Sequence, residues 1–173
     1  MKKNSTIFAL STPPGKAAIA IIRLSGKHSY KCIKKISANM PKNPNTSTFN
    51  EIKTKEGKVI DQTITTFFKA PKSFTGEDMV EISFHGGPAV IKKIINMLSK
   101  KNNLRLASPG EFTRRAFENN KLDLTQVEAI SDIVNAETEM QRKQAISHLS
   151  GHFFKTTRDI FENLKKILAN IEV

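Results

Sequence analysis

The stretch from Phe74 to Pro88 constrains the fold more than any other part of the chain. It begins with Thr-Gly-Glu-Asp, which is typical of a turn. Apolar and polar residues then alternate strictly, and this is the period of a half-buried strand. The apolar set is Val80, Ile82 and Phe84, and the polar set is Glu81, Ser83 and His85.

This strand is followed by two glycines, by Pro88 and by a helical repeat of apolar residues (Ile91, Ile94, Ile95 and Leu98). Proline suits the first helical position, and the glycines leave the helix start open to an anion or a polar ligand. Glu81, His85 and this helix start converge on one sheet edge, which is where sites tend to lie. We therefore predict a site there. The alternative is a strand whose polar face is merely solvated.

Strands and helices alternate through the rest of residues 1–118, which predicts one α+β (mixed α/β) domain. Further strands are predicted at 6–12, 17–24, 49–54, 59–68 and 104–107, and helices at 30–36 and 112–118. We expect Ser108 to cap the last of these helices, with Pro109 at its first position and Glu111 completing a capping box. Arg23 interrupts an apolar strand, so its guanidinium needs an anionic partner or a route to solvent.

Residues 119–173 are predicted to form an all-α helical segment. Asp123 and Gln126 have the spacing of a helix start. From about Glu137 onward the chain has no proline, and apolar residues recur three or four apart, which predicts one long amphipathic helix. The stripe is Ile146, Leu149, Phe153, Ile160, Leu164, Ile167 and Ile171. Gly151 is its weak point, and we expect the natural protein to continue beyond Val173.

Composition narrows the classes of function. The net charge of +12 points to nucleic acid or another polyanion, although the excess of lysine over arginine also fits an A+T-biased coding sequence. The densest basic stretch is Lys92–Lys121, and no aromatic-interleaved basic motif is present. The single cysteine, Cys32, excludes an internal disulfide framework and suits the cytoplasm. No apolar run reaches the ~20 residues of a membrane span.

Several chemistries lack their motifs. The sequence contains no Gly-x-x-x-x-Gly-Lys-[Ser/Thr] phosphate loop and no Gly-x-Ser-x-Gly elbow. One cysteine and four scattered histidines have no metal-ligand spacing, so we expect no metal site. We also assign no catalytic residue.

Three segments in register, Thr12–Gly26, Ser73–Pro88 and Ser108–Ala129, resemble the N-terminal part of the tRNA modification GTPases of the MnmE (TrmE) family. The resemblance implies a tetrahydrofolate-binding, dimerising domain over 1–118, similar to folate-dependent aminomethyl transferase domains. It implies that 119–173 begin the helical domain, into which the family inserts its GTPase domain. GTP, Mg and K would belong to that absent domain, so this chain is not expected to hydrolyse GTP by itself.

The resemblance also implies partners and site residues. With the flavoprotein MnmG, the family modifies C5 of the wobble uridine of tRNA. Its contacts with 5-formyltetrahydrofolate, or another reduced folate, carry over onto Arg23, Glu81 and Lys121. A carboxylate such as Glu81 can accept two adjacent N–H groups of a pterin, and cations suit the carboxylates of the folate tail. The alternative is that Arg23 and Glu81 simply pair with each other.

Other polar residues of these motifs are set apart from the site. His85 could shape the pocket or hydrogen-bond the turn, and Glu111 fits a cap better than a catalyst. Arg114 and Arg115 are predicted to lie on the surface or to face tRNA.

Three functions remain open. The first is a folate-binding, homodimeric module of a tRNA-modifying GTPase, and the second is a non-enzymatic basic RNA-binding module. The third is a free-standing folate-dependent aminomethyl transferase.

Overall fold

The alternating stretch lies in the middle of a six-stranded mixed sheet. The structure is a computed structural model that describes residues 5–171, with the backbone alone for 152–156. It divides into two units, Met1–Ala116 and Phe117–Val173. The predicted fold class, an α+β domain followed by helices, is confirmed.

The sheet has the order β3-β4-β5-β2-β1-β6. Its strands are β1 (Thr6–Leu10), β2 (Ile19–Ser25), β3 (Ser47–Lys53), β4 (Val59–Phe68), β5 (Met79–His85) and β6 (Leu104–Leu106). The short strand β6 is parallel to β1, whereas every other neighbouring pair is antiparallel. The central pair, β2 and β5, is matched along its whole length, from Ile19 opposite His85 to Ser25 opposite Met79.

Two helices, α1 (Ser29–Lys34) and α2 (Pro88–Ser99), form the core with one face of the sheet. Val80, Ile82 and Phe84 point into this core, as their alternation predicts. Ile94 and Leu98 of α2 are fully buried against it. Because burying one such side chain contributes roughly 1.5–3 kcal/mol, this layer dominates the stability of the first unit.

The opposite face of the sheet carries the polar set of β5 together with Arg23 of β2. Helix α3 (Glu111–Glu118) reaches this face at the β1 and β6 end, where Glu111 binds Arg105 of β6. The start of α3 differs from the prediction. Gly110 has a φ of 71°, and its carbonyl accepts the first helical bond, from Arg114, so Ser108 and Pro109 stay outside the helix.

The second unit contains α4 (Leu124–Val134), α5 (Glu139–Leu149) and α6 (His152–Ile171). The predicted capping box of Asp123 and Gln126 is confirmed. The prediction of one long helix is wrong, because the chain breaks between α5 and α6 at Gly151, whose φ is 78°. The side chain of Phe153, part of the predicted stripe, lies outside the described residues. Within residues 5–171, no helix is long and apolar enough to cross a membrane.

Candidate functional site

Arg23 and Glu81 face each other across the central strand pair, directly opposite in register. Arg23 donates from Nε to Oε1 of Glu81 at 2.8 Å, and its Nη2 lies 2.8 Å from the same oxygen. The side chains are 30% and 26% exposed, so solvent and a ligand can both reach the pair. The anionic partner that Arg23 requires is therefore Glu81.

Two aromatic rings flank the guanidinium of Arg23. Its central carbon lies 5.4 Å from the ring centre of Phe74, in the turn before β5, and 5.9 Å from that of Phe112 in α3. Both distances fall within the range of cation–π attraction. The rings therefore hold Arg23 in place and give the pair an apolar surround. Nothing in the sequence pattern indicated that Phe112 would contribute.

The second carboxylate oxygen of Glu81 is uncommitted. Both nitrogens of Arg23 use Oε1, and among the described residues no hydrogen bond reaches Oε2. A carboxylate oxygen of a partly exposed side chain can accept hydrogen bonds from a flat, polar ring system. The pair can therefore receive a ligand without breaking its own contact.

His85 forms a dyad with Asp61 of β4. One carboxylate oxygen of Asp61 lies 2.8 Å from His85 Nδ1, and the other accepts the backbone N–H of His85 at 2.8 Å. The ring of His85 thus contacts Asp61 and not the turn, and it is otherwise exposed. No local sequence pattern indicated Asp61, because the contact depends on which residues of β4 and β5 meet.

The Gly-Gly segment allows a close backbone approach. Gly86 exchanges hydrogen bonds with the loop before β2, from its N–H to Ala18 and from Ala17 to its carbonyl. A Cβ at Gly86 would lie 2.5 Å from the carbonyl oxygen of Ala17, so no other residue fits without displacing backbone. Pro88 then opens α2, and no side chain caps that helix start.

Arg115 is buried, and the prediction that it lies on the surface or faces tRNA is wrong. It is 7% exposed, and it binds Glu77 at 2.9 Å and Glu111 at 3.0 Å. Its other bond is donated to the carbonyl of Ser5 at 2.8 Å. Glu111 lies one helical turn before Arg115, whereas Glu77 is distant in sequence, and together the two carboxylates draw the side chain of Arg115 inward. Arg114, by contrast, is exposed.

Glu111 is the centre of this buried network. It is 3% exposed and accepts a two-pronged bond from Arg105, the N–H of Ser108 and a bond from Arg115. These contacts lower the pKa of Glu111 from 4.5 to about 2, and the hydrogen bond from Arg105 has the largest effect. The residue thus does more than the predicted cap, because it also fastens α3 to β6.

Lys121, the third predicted contact, lies in the second unit between α3 and α4. Its side chain is exposed and belongs to a surface depression that also includes Asn120 and Asp123. Within the described residues, no group of three His, Cys, Asp or Glu could hold a metal ion. The structure thus brings two of the three predicted site residues, Arg23 and Glu81, together. The third, Lys121, belongs to the second unit, and its role stays a prediction.

Large apolar side chains are exposed on the sheet face that carries Arg23 and Glu81. Phe49 of β3 lies opposite Ile64 of β4, and Ile64 lies opposite Ser83, two residues from Glu81. Phe49, Ile64 and Ile19 of β2 are each more than half exposed. This combination, named here the open face, offers apolar area that the described residues of the chain leave uncovered.

Comparisons with known proteins identify the family. A family model described as the N-terminus of the GTP-binding protein TrmE matches residues 6–121, and one described as the MnmE helical domain matches residues 124–173. The chain belongs to the MnmE family. Its predicted membership is therefore confirmed, and its two matched parts are the N-terminal and helical domains of MnmE.

Individual MnmE relatives agree with this assignment. The chain is 49% identical over 168 residues to the tRNA modification GTPase MnmE of Ehrlichia chaffeensis, and 44% identical to that of Dinoroseobacter shibae. It is 42% identical to that of a Thermotoga species. Each match covers 97% of this chain but only 37–39% of the relative. The chain thus spans about two fifths of the length of these MnmE proteins.

Proposed function

We propose that this chain is the folate-binding, dimer-forming portion of a tRNA modification GTPase. The single observation that carries the folate site is the Arg23–Glu81 pair, in which one carboxylate oxygen of Glu81 is uncommitted and two aromatic rings flank Arg23. The whole protein would hydrolyse GTP, with Mg and K, in its GTPase domain. With the flavoprotein MnmG it would modify C5 of the wobble uridine of tRNA in the cytoplasm.

The residues present fit a reduced folate. Glu81 would accept the adjacent N–H donors of the pterin through Oε2 and the remaining lone pair of Oε1. Phe74 and Phe112 would pack against the flat ring, and Arg23 would orient the carboxylate of Glu81. Arg23 is held at the pterin end by Glu81, so the carboxylates of the tail would need another cation, for which Lys121 stays a prediction. The folate would supply a one-carbon unit, while the protein's own residues bind and orient it.

We also propose that the chain forms a homodimer through the open face. Phe49, Ile64 and Ile19 supply the exposed apolar area that stable interfaces bury at their centre. Exposed apolar patches rimmed by polar residues mark such surfaces. The face adjoins the Arg23–Glu81 pair, so a second copy would also shield the ligand from water.

Titration of the purified chain with 5-formyltetrahydrofolate tests the folate site. We expect saturable heat in calorimetry with this folate and none with GTP, because the sequence has no phosphate loop. GTP binding, or no heat with any reduced folate, would overturn the proposal.

A further inference from the structure

The two units differ sharply in charge. Residues 1–116 contain twenty-one Lys and Arg against seven Asp and Glu, whereas residues 117–173 contain seven against nine. The whole excess of +12 therefore comes from the first unit. A coding bias toward lysine would not by itself place all of the excess in one unit.

Within the first unit, two segments have no acidic residue at all. These are residues 26–50, which include α1, and residues 88–110, which include α2. Together they hold nine lysines, which are Lys27, Lys31, Lys34, Lys35, Lys42, Lys92, Lys93, Lys100 and Lys101. Both helices pack on the same face of the sheet, so their outer sides form one layer.

Seven of these lysines belong to α1, α2 and the residues just after them. This set is named here the lysine face (Lys31, Lys34, Lys35, Lys92, Lys93, Lys100 and Lys101). On α2 the buried positions are Ile94 and Leu98, while Lys92, Lys93 and Lys100 are exposed on the opposite side. The lysines thus follow one outward stripe.

The two helices bring their lysines together around Cys32. Cys32 belongs to α1, and its thiol is buried in the core. Burial raises its pKa, and the charges of Lys101, Lys35 and Lys31 are near enough to act against that rise. Lys101 comes from the end of α2 and the other two from α1. The positive charges of both helices therefore meet in one place.

The lysine face has little counter-charge, and Glu56 is an exposed carboxylate on which the charge of one of its members, Lys93, acts. Among the described residues, the ion pairs of lysine involve Lys53, Lys69, Lys143 and Lys165, and none involves the lysine face. Like charges repel unless a partner offsets them. A concentration of seven cations that form no ion pair with the described residues is complementary to a polyanion.

The other features of this face select among polyanions. None of the exposed large apolar side chains of the described residues belongs to α1 or α2. The lysine face therefore has no large apolar side chain to insert into a membrane. Its one aromatic residue, Tyr30, packs on Phe67 with ring centres 4.7 Å apart and is not free to stack on a base. What remains is contact with phosphates, which is how proteins hold structured RNA without reading its sequence.

We propose that the lysine face is a phosphate-contacting surface for tRNA. It lies across the sheet from the Arg23–Glu81 pair, so RNA and a folate would occupy opposite faces of the first unit. This rests on the proposed function only in the choice of tRNA among polyanions.

The test is the salt dependence of tRNA binding by the full chain. Two triple variants probe the face: K31Q/K35Q/K101Q and K92Q/K93Q/K100Q. The matched control, K72Q/K143Q/K166Q, removes the same charge from exposed lysines that lie outside the lysine face. Each phosphate contact contributes about 0.7–0.9 to the slope of log K against log salt, so each face variant should lower it by about two. The control should keep the parent slope.

Affinity should also fall in both face variants, on the order of 100-fold at low salt, and hardly at all in the control. Equal losses in all three variants would mean that net charge, not this surface, governs binding. Unchanged binding in the face variants, or no tRNA binding by the parent chain, would overturn the proposal. Competition by polyglutamate as strong as that by tRNA would instead assign the face to an acidic protein. A folate titration of the same variants separates these outcomes from failure of the folate site.

Discussion

Arginines hold two glutamates of the first unit in different ways. Glu111 is deeply buried, and its carboxylate receives bonds from Arg105, Arg115 and the backbone. Glu81 is partly exposed, and Arg23 uses only one of its oxygens. A carboxylate whose acceptor sites are all filled stabilises the fold, whereas one with a free oxygen can still accept hydrogen bonds from a ligand. Substitution should therefore affect stability at Glu111 and ligand affinity at Glu81.

Glu81→Gln should lower folate affinity by about tenfold or more. The change keeps the shape but removes a charged acceptor and sets a donor against the pterin, which costs roughly 1.5–3 kcal/mol. Calorimetry gives the affinity and thermal melting gives the stability of the same protein. Glu51→Gln is the control, since Glu51 is 34% exposed and pairs with Lys53 at 3.0 Å. Normal affinity in a folded Glu81→Gln protein would sink the site assignment.

Glu111→Gln should destabilise the chain at pH 7 by about 3 kcal/mol, because it leaves the buried charge of Arg115 without one of its partners. Urea denaturation measures this. The pKa of Glu111 is lowered on folding, so its contribution is fully present above pH 4.5 and is lost as the pH falls toward 2. The variant should lose less stability over that range than the parent. The exposed Glu139→Gln is the control, and an equal effect there would contradict a buried role.

At the scale of elements, capping residues and the interruption at Gly151 determine where the helices of the second unit begin and end. Thr138 and Gln141 form a capping box at the start of α5. Gln126 accepts the N–H of Asp123 through its side chain and donates to the carbonyl of Leu149, so one amide joins the start of α4 to the end of α5. Gly151 then turns the chain into α6. Its conformation is the left-handed one that ends helices.

Gly151→Ala distinguishes a break from a continuous helix by the sign of its effect. At a φ of 78° an alanine is strained, and we expect a loss of about 1–2 kcal/mol in the free energy of unfolding. There is room for the added Cβ, whose nearest neighbour would be Gln126 at 3.9 Å, so the cost is one of backbone. Gly151→Asn should be milder. Stabilisation by alanine would instead indicate one uninterrupted helix.

The elements that the sequence predicted well are those with strong local signals. β5 and α2 were predicted by alternation, glycine and proline, and β4 and α4 had equally clear patterns. The features that the sequence analysis missed depend on tertiary contacts or are hidden by the helical period. The apolar stripe continues through Gly151, so periodicity concealed the turn there. The burial of Arg115 and the Asp61–His85 contact depend on how strands and α3 meet, which no local pattern records. The family resemblance selected Arg23 and Glu81; their alignment required the strand register.

At the scale of the whole molecule, the open face and α6 offer two different ways to self-associate. The double variant F49S/I64S should convert the proposed dimer to a monomer in sedimentation experiments, because it removes apolar area from the interface. The variant L164S/I167S, in which both changed residues are exposed on α6, should leave the dimer intact. A reversed result would place the association on α6.

The order of the strands also decides where the sheet can grow. Its two margins are β6, only three residues long, and β3, which has an irregularity at Ile52 and Lys53 and charged side chains beside it. Short, irregular and charged margins discourage another strand from adding its backbone to a sheet. Extension of the ladder into ribbons or fibrils is therefore disfavoured at both ends, and in the proposed dimer a second copy of the chain would approach flat against the sheet.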